Sequence, residues 1–441
     1  MKKREGMHFY INISNFDDIV EKEELDSGNV NHSIHALNTF FSSIEWFGNN
    51  KYTDVFVTEK VTGSRIHMYI LADVQESFKI VKDVSMYAYR LSLYLNNDVT
   101  KYKKLKCFNI KVGACYGRFY DFVFRDNDYE EETTIGFAAN YAAKLQMLSG
   151  DGFISIDSSI YDVLDVADSE IFKRINSSQI SKYKEFRYYT APIRLLTMDD
   201  EDYREELNHA YEIVQKTNLA DMNNESAREM ISPDRLSVKT IKKVIGIPLF
   251  ADVRGFTQQF DKDDANLEEM ADKTQKILKS LYSAVKGKGV HIQFQGDREF
   301  ALFHDIKSQN CAQDSIITAM RIIDKVKEFN VNIGVGESIG TVFASRIGAR
   351  NSKDNILIGR TVSDADRFED DYAGENQLVI SQKIFCIIED ENPILANQFE
   401  KLPNGCYMTQ TGYKEFCEIV EDDNLERNNK TKNYNAAWAE S

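Results

Sequence analysis

Apolar positions between residues 267 and 285 recur at helical spacing. Leu267, Met270, Ala271, Thr274, Ile277, Leu278, Leu281 and Val285 share one face and predict a long amphipathic helix. Ahead of it the chain reads Leu249-Phe250-Ala251-Asp252-Val253-Arg254-Gly255-Phe256-Thr257, an apolar strand that ends in a carboxylate and a turn glycine. Beyond it, Phe294-Gln295-Gly296-Asp297-Arg298 reads as two apolar strands joined at a glycine turn. Strand, helices, hairpin, helix, strand predicts an α+β domain with helices on one face of a mixed sheet, and a ferredoxin-like palm is its simplest closed form.

The same order occurs twice. His8-Phe9-Tyr10-Ile11-Asn12-Ile13-Ser14-Asn15-Phe16 has the shape of the Asp252 strand, with Asn12 standing where Asp252 stands. Val61-Thr62-Gly63-Ser64-Arg65 matches the Asp297 hairpin, with Ser64 in place of Asp297. Ile135-Gly136-Phe137-Ala138-Ala139-Asn140 matches Ile358-Gly359-Arg360-Thr361-Val362-Ser363, and the strands Phe153 to Ile156 and Leu378 to Ser381 follow at nearly equal offsets. Two copies of one fold are therefore expected, over residues 1–192 and 241–418. Between them, 193–240 reads as an acidic linker with a short helix near Glu205 to Val214 and a loop around Pro233, and 419–441 reads as a polar tail.

A chain of 441 residues is long enough for two cores. It has no run of eighteen apolar residues, and Met-Lys-Lys-Arg at its start is followed by no apolar stretch. These features predict neither a membrane span nor a signal peptide, and hence a cytoplasmic protein. A net charge of −16 without a large basic patch argues against nucleic acid and anionic membrane as partners. Cysteines 107, 115, 311, 386, 406 and 417 form no Cys-x-x-Cys pair, which suits reduced, mostly buried thiols.

The chemistry concentrates on Asp252 and Asp297. One closes a strand and the other occupies the turn beside it, so the two carboxylates meet at one sheet edge. Either alone would pass for a turn cap. Together they must hold a cation or raise a pKa. For phosphoryl chemistry that cation is Mg²⁺ or Mn²⁺, which takes carboxylate oxygens and a backbone carbonyl such as that of Val253. The replacement of the pair by Asn12 and Ser64 in the first copy favours the metal reading.

These residues carry a resemblance. Phe250-x-Asp252-Val253-x-Gly255-Phe256-Thr257 with Gly296-Asp297 resembles the metal-binding pattern of class III adenylate and guanylate cyclases, and the resemblance spans nearly the whole chain in two copies. The first copy resembles the partner half that lacks metal ligands but grips substrate. The resemblance implies that Lys60 and Thr133 read the base, that Asn140 orients the ribose and that Lys144, where the family has Arg, carries the triphosphate charge. Lys182 or Lys184 would bind the distal phosphate. In the second copy Ser363, Gln293 and Ile356 replace the asparagine and both base readers, while Arg367 is kept, so the mirror-related site is expected to be dead.

The implied architecture is an intramolecular pseudo-heterodimer with one two-metal site. The implied reaction is cyclisation of a nucleoside triphosphate to its 3′,5′-cyclic monophosphate plus pyrophosphate. Two cyclase domains without a sensor or receiver resemble the pyrimidine cyclases of the bacterial antiphage system Pycsar, which implies CTP as substrate, cyclic CMP as product and a separate cyclic-nucleotide-activated effector. Cyclic AMP and cyclic UMP are the alternative products. An inert nucleotide-binding scaffold is the alternative of another class. An enzyme joining two nucleotides ranks last, because Gly-Gly-Asp-Glu-Phe is absent.

Overall fold

Alternation along the first strand sets the plan of the molecule. In β1 (Lys2–Ile13), Met7, Phe9, Ile11 and Ile13 are buried in one core, while His8, Tyr10 and Asn12 point to the opposite face. The computed structural model describes residues 2–105, 107–126, 129–175, 187–196, 203–216, 219, 222–227, 229–237, 239–256, 259, 266–304, 311–349 and 352–418. After β1 come α1 (Phe16–Ser27), α2 (Asn31–Lys51), β2 (Phe56–Thr62), β3 (Arg65–Ile70), α3 (Val74–Asn97), β4 (Ile110–Asp126), β5 (Tyr129–Ile135) and α4 (Phe137–Leu148). The first half closes with β6 (Phe153–Asp157), α5 (Ser158–Tyr161), α6 (Val166–Ile171), β7 (Lys173–Ile175) and β8 (Tyr188–Pro192). Its sheet runs β2-β3-β1-β4-β6-β8-β7, with β5 hairpinned onto β4.

Two elements follow, α7 (Arg204–Lys216) and β9 (Asn223–Ser226), before β10 (Thr240–Val253) opens the second half. Then come α8 (Leu267–Val285), β11 (Val290–Gln295), β12 (Arg298–His304), α9 (Cys311–Val326), β13 (Ile333–Glu337), β14 (Gly340–Ala349), β15 (Ser352–Ile358) and α10 (Arg360–Arg367). A π-helical turn (Phe368–Tyr372) leads to β16 (Gln377–Ile380), α11 (Gln382–Glu391), α12 (Pro393–Ala396), β17 (Glu400–Lys401) and β18 (Tyr407–Thr409). The second sheet runs β11-β12-β10-β13-β16-β18-β17, which is the first order repeated. The first four strands of each order, β2-β3-β1-β4 and β11-β12-β10-β13, have the ferredoxin-like arrangement, and the fold is α+β with two tandem domains. Every residue of the apolar stripe from Leu267 to Val285 is buried in α8.

Helices do not keep to one face. α2 and α3 cover the core side of the first sheet, but α4 crosses the other side, where Ala138, Tyr141, Ala142 and Leu145 pack with Cys115 and Tyr188. The sequence pattern missed this because α4 is short and small-residued and shows little amphipathic contrast. Gly113 permits the approach: a Cβ there would collide with the backbone N of Gln146 and O of Ala142. Gly113→Ala is expected to cost about 1–3 kcal/mol of stability through overpacking. Because α4 carries Asn140 and Lys144, it should also lower any turnover by up to about 10²-fold, measured as kcat beside the melting midpoint.

The two domains exchange arms. Phe122, Phe124 and Ile135 of the β4–β5 hairpin lie in the core of the second domain, and Phe124 meets Phe294 edge-on at 5.0 Å. In return Phe343, Ile347, Ile356 and Ile358 of the β14–β15 hairpin lie in the core of the first. Each such side chain contributes about 1.5–3 kcal/mol by leaving water, which holds the halves face to face.

The described parts of the connecting segment include the expected short helix, as α7, and pack on both domains. His209 of α7 stacks on Trp46 at 4.2 Å, and the Tyr203 hydroxyl donates to buried Asp83 at 2.6 Å. β9 adds a parallel strand to β10. The thiols also differ from expectation: only Cys115 and Cys406 are buried, and Cys107 and Cys386 are exposed. Among the described residues no helix is long and apolar enough to cross a membrane.

One buried carboxyl gives a test of the core. Glu337 of β13 is fully buried, accepts a hydrogen bond from Ser315 Oγ at 2.9 Å, and is pushed by burial up to about 8. Its folded pKa lies above its unfolded one, so the protonated form is favoured in the fold. Stability is complete below pH 4.5 and is lost as the pH rises through about 8. Glu337→Gln is expected to remove that loss and to melt higher than the parent at pH 9, by a few kcal/mol, but not at pH 4.

Candidate active site

The strand ends that face each other across the two sheets enclose one cavity of about 570 Å³. Asp252, Val253 and Asp297 from the second domain line it, and so do Lys60, Thr133, Asn140 and Lys144 from the first. Lys182 and Lys184 lie outside the described residues. Such a volume lies in the range of small-molecule pockets.

Asp252 is the penultimate residue of β10 and pairs in register with Arg298, the first residue of β12. Asp297 sits in the preceding turn, where Gly296 takes φ 74°, a left-handed conformation that favours glycine. Withdrawal from water and the charge of Asp252 push the Asp297 carboxyl well above the usual range, while Lys144, reaching across from the first domain, pulls it down. Behind the pair, Arg254 contacts Asp252 at 3.6 Å and Glu369 at 2.6 Å, and Arg298 binds Asp366 at 2.5 Å and Glu369 at 2.6 Å. Burial and the charge of Asp252 still push Glu369 up to about 7 against both guanidiniums. The cluster is short of positive charge at Asp252 and Asp297, and its hard oxygen donors fit Mg²⁺ or Mn²⁺.

The corresponding corner of the first domain has lost this character. Ser64 Oγ donates to Asn12 Oδ1 at 2.9 Å, so the two residues satisfy each other where the second domain has two carboxylates. The counterpart of Thr133, Ile356, is buried in a core, and Arg367 pairs with Asp364 at 2.7 Å beside a separate acidic depression.

Asn140 stands one turn into α4, and its Nδ2 is buried with no hydrogen-bond partner among the described residues. An amide so placed is a donor in wait of a ligand oxygen. Lys60 is buried, and its Nζ pairs with Glu131 and donates to Phe294 O of the second domain at 3.0 Å. Thr133 Oγ1 donates to Glu59 Oε1 at 3.1 Å.

Glu59, His67, Glu131 and His291 were not legible as site residues. Glu59 enters the cavity because β2 bulges between Thr58 and Lys60, which lets two consecutive residues reach the site. Glu131 accepts from Lys60, from Phe294 N at 3.0 Å, from Tyr129 at 2.5 Å and from His291 at 3.3 Å, and so ties the Lys60 end of the cavity to both domains. Arg65 and Lys111 also line the cavity.

No family model and no curated protein matches the sequence. Among solved structures, a class III adenylyl cyclase-like ATP-binding protein from Pseudomonas aeruginosa is similar over 95% of this chain and 90% of its own, with a TM-score of 0.74 and 15% identity. The adenylyl cyclase CyaB from P. aeruginosa is similar over 34% of this chain and 83% of its own, with a TM-score of 0.32 and 21% identity. The guanylyl cyclase Cya2 is similar over 38% and 90%, with a TM-score of 0.31 and 20% identity. The first of these likenesses carries the conclusion: the chain has the fold of a tandem pair of class III cyclase-like domains.

Proposed function

We propose that the protein is a nucleoside triphosphate cyclase whose one active site draws metal ligands from the second domain and substrate contacts from the first. The observation that carries this reading is the meeting of Asp252 and Asp297 with Asn140 and Lys144 in a single cavity. In the reaction the ribose 3′-oxygen attacks the α-phosphorus, the 3′-O–P bond forms, the bond to the β-phosphate breaks, and pyrophosphate leaves with the hydroxyl proton released to solvent.

Asp252, Asp297 and the Val253 carbonyl would hold Mg²⁺ or Mn²⁺, which when bound supplies acidity to the 3′-hydroxyl and charge to offset the leaving pyrophosphate. Asn140 donates its amide N–H to the ribose and holds the 3′-oxygen in line. Lys144 lies close enough to affect Asp297 and spreads charge building on the α-phosphate. Lys60 and Thr133 contact the base.

CTP is the proposed substrate and cyclic CMP the proposed messenger, acting on a separate effector in antiphage defence. This finer reading is supported by the resemblance in sequence organisation to pyrimidine cyclases. A second reading, nucleotide binding without turnover and with ATP as ligand, is favoured by the description of the Pseudomonas protein as ATP-binding. Incubation with ATP, GTP, CTP and UTP in Mn²⁺ or Mg²⁺, with products identified by mass beside an Asp252→Ala control, separates the two. Cyclic CMP lost in the control supports the proposal. Cyclic AMP keeps the cyclase and changes the base, and binding without any product leaves the second reading.

A further inference from the structure

The base end of the cavity contains a buried relay. Glu59 accepts from Thr133 Oγ1 at 3.1 Å, Thr134 N at 2.8 Å, Thr134 Oγ1 at 2.6 Å and His67 Nδ1 at 2.9 Å. These four donors fill its lone-pair sites. His67 stacks on Tyr10 at 4.0 Å and places Nε2 3.0 Å from His8 Nδ1. Because His67 commits its two ring nitrogens to partners on opposite edges, the three side chains form a hydrogen-bonded chain and not a cage about one ion. Burial opposes charge on Glu59, but His67 and the Thr134 hydroxyl hold its carboxyl well below the usual range, so it only accepts.

We propose that Glu59 is a specificity-determining positioning residue: by taking the Thr133 hydroxyl proton it leaves only oxygen lone pairs of Thr133 facing the base, which selects bases bearing an exocyclic amine over keto bases. The inference rests on the nucleotide reading above and extends it to a substrate class. Lys60 supplies the complementary half. Two of its three N–H groups are directed to Glu131 and Phe294 O, which leaves one to donate. A donor beside an acceptor matches cytosine, with N3 next to the N4 amine, and adenine, with N1 next to the N6 amine. Uracil and guanine present a ring N–H beside a carbonyl oxygen and reverse both contacts, which leaves buried groups unpaired.

The test uses full-length protein in Mn²⁺ and 3′-deoxy nucleoside triphosphates, which lack the attacking hydroxyl, titrated by calorimetry. In each ring-size pair, 3′-deoxy-CTP against 3′-deoxy-UTP and 3′-deoxy-ATP against 3′-deoxy-GTP, the amino member is expected to bind at least about tenfold tighter. Glu59→Ala frees the Thr133 proton and should bring each ratio within about threefold, chiefly by improving the keto member. Glu59→Gln, whose side-chain carbonyl can take the Thr133 hydroxyl and the Thr134 N–H that Glu59 Oε1 accepts, should keep the ratio. If Glu59→Ala does not fold, Thr133→Val should lose the ratio and Thr133→Ser restore it. Equal or tighter binding of keto nucleotides by the parent, or a ratio that survives in folded Glu59→Ala or in Thr133→Val, overturns the inference alone. Binding of none of the four removes the nucleotide reading and this inference with it.

Discussion

Asn140→Ala is expected to slow cyclic-nucleotide formation by about 10²–10³-fold, because it removes a buried donor that no other group among the described residues uses. Asp297→Asn should cost at least as much, since it removes charge from the carboxylate pair that Asp252 and Asp297 form in the cavity. The informative comparison is with Arg367→Ala, at the position that mirrors Lys144. Arg367 pairs with Asp364 away from the main cavity, and its loss is expected to change the rate less than about twofold. Lys144→Ala should cost tenfold or more. Initial rates on all four variants decide the matter, and equal losses at Lys144 and Arg367 would contradict a single, one-sided site.

Glu131→Ala is expected to destabilise the protein by about 3–5 kcal/mol, read as a fall in the melting midpoint on the order of 10 °C. The substitution leaves Lys60 and His291 buried without their shared counterion and Phe294 N without an acceptor. Glu131→Gln, which keeps an acceptor but not the charge, should cost less. Burial disfavours charge on His291, yet the carboxylates of Glu299 and Glu131 outweigh it and push the imidazole up to about 9. Its folded pKa lies above the unfolded value of 6.5, so its contribution is complete below pH 6.5 and is lost as the pH rises through about 9. Melting midpoints should therefore fall over that window. Glu337→Gln should remove the part of the fall that begins at lower pH, and Glu131→Ala should reduce the part due to His291, which keeps Glu299 as its partner.

Much of this architecture can be read from the chain because strands and amphipathic helices write their burial into residue spacing. The stripe from Leu267 to Val285 becomes α8 with every member buried, and the strands ending at Asn12 and Asp252 become the equivalent central strands of two sheets with one topology. The repeat also marks where the copies differ, so Asn12, Ser64, Asp252 and Asp297 stand out without any coordinates. Residues whose importance comes from long-range partners leave no such mark. Glu59 lies next to Lys60, but only a bulge brings both to the cavity. Glu131 looks like one of several acids in Glu130-Glu131-Glu132 until its strand is laid against His291 and Phe294 of the other domain. The exchange of hairpin arms is likewise hidden, since Phe122 and Ile356 read as ordinary strand residues whichever core they fill. α4 was missed as an opposite-face helix because its alanines carry almost no amphipathic signal, whereas Gly113, which lets it approach, is visible only as a glycine in a strand.

The central claim is that one site is completed within one chain by residues from both halves. It is tested most directly by mixing Asn140→Ala protein, intact at Asp252 and Asp297, with Asp252→Ala protein, intact at Asn140 and Lys144, and measuring the cyclisation rate. The two lesions lie in the same cavity of each molecule, so the mixture is expected to be no more active than the average of its parts. Recovery of a substantial fraction of the parent rate on mixing would show that sites form between chains, and would contradict the account.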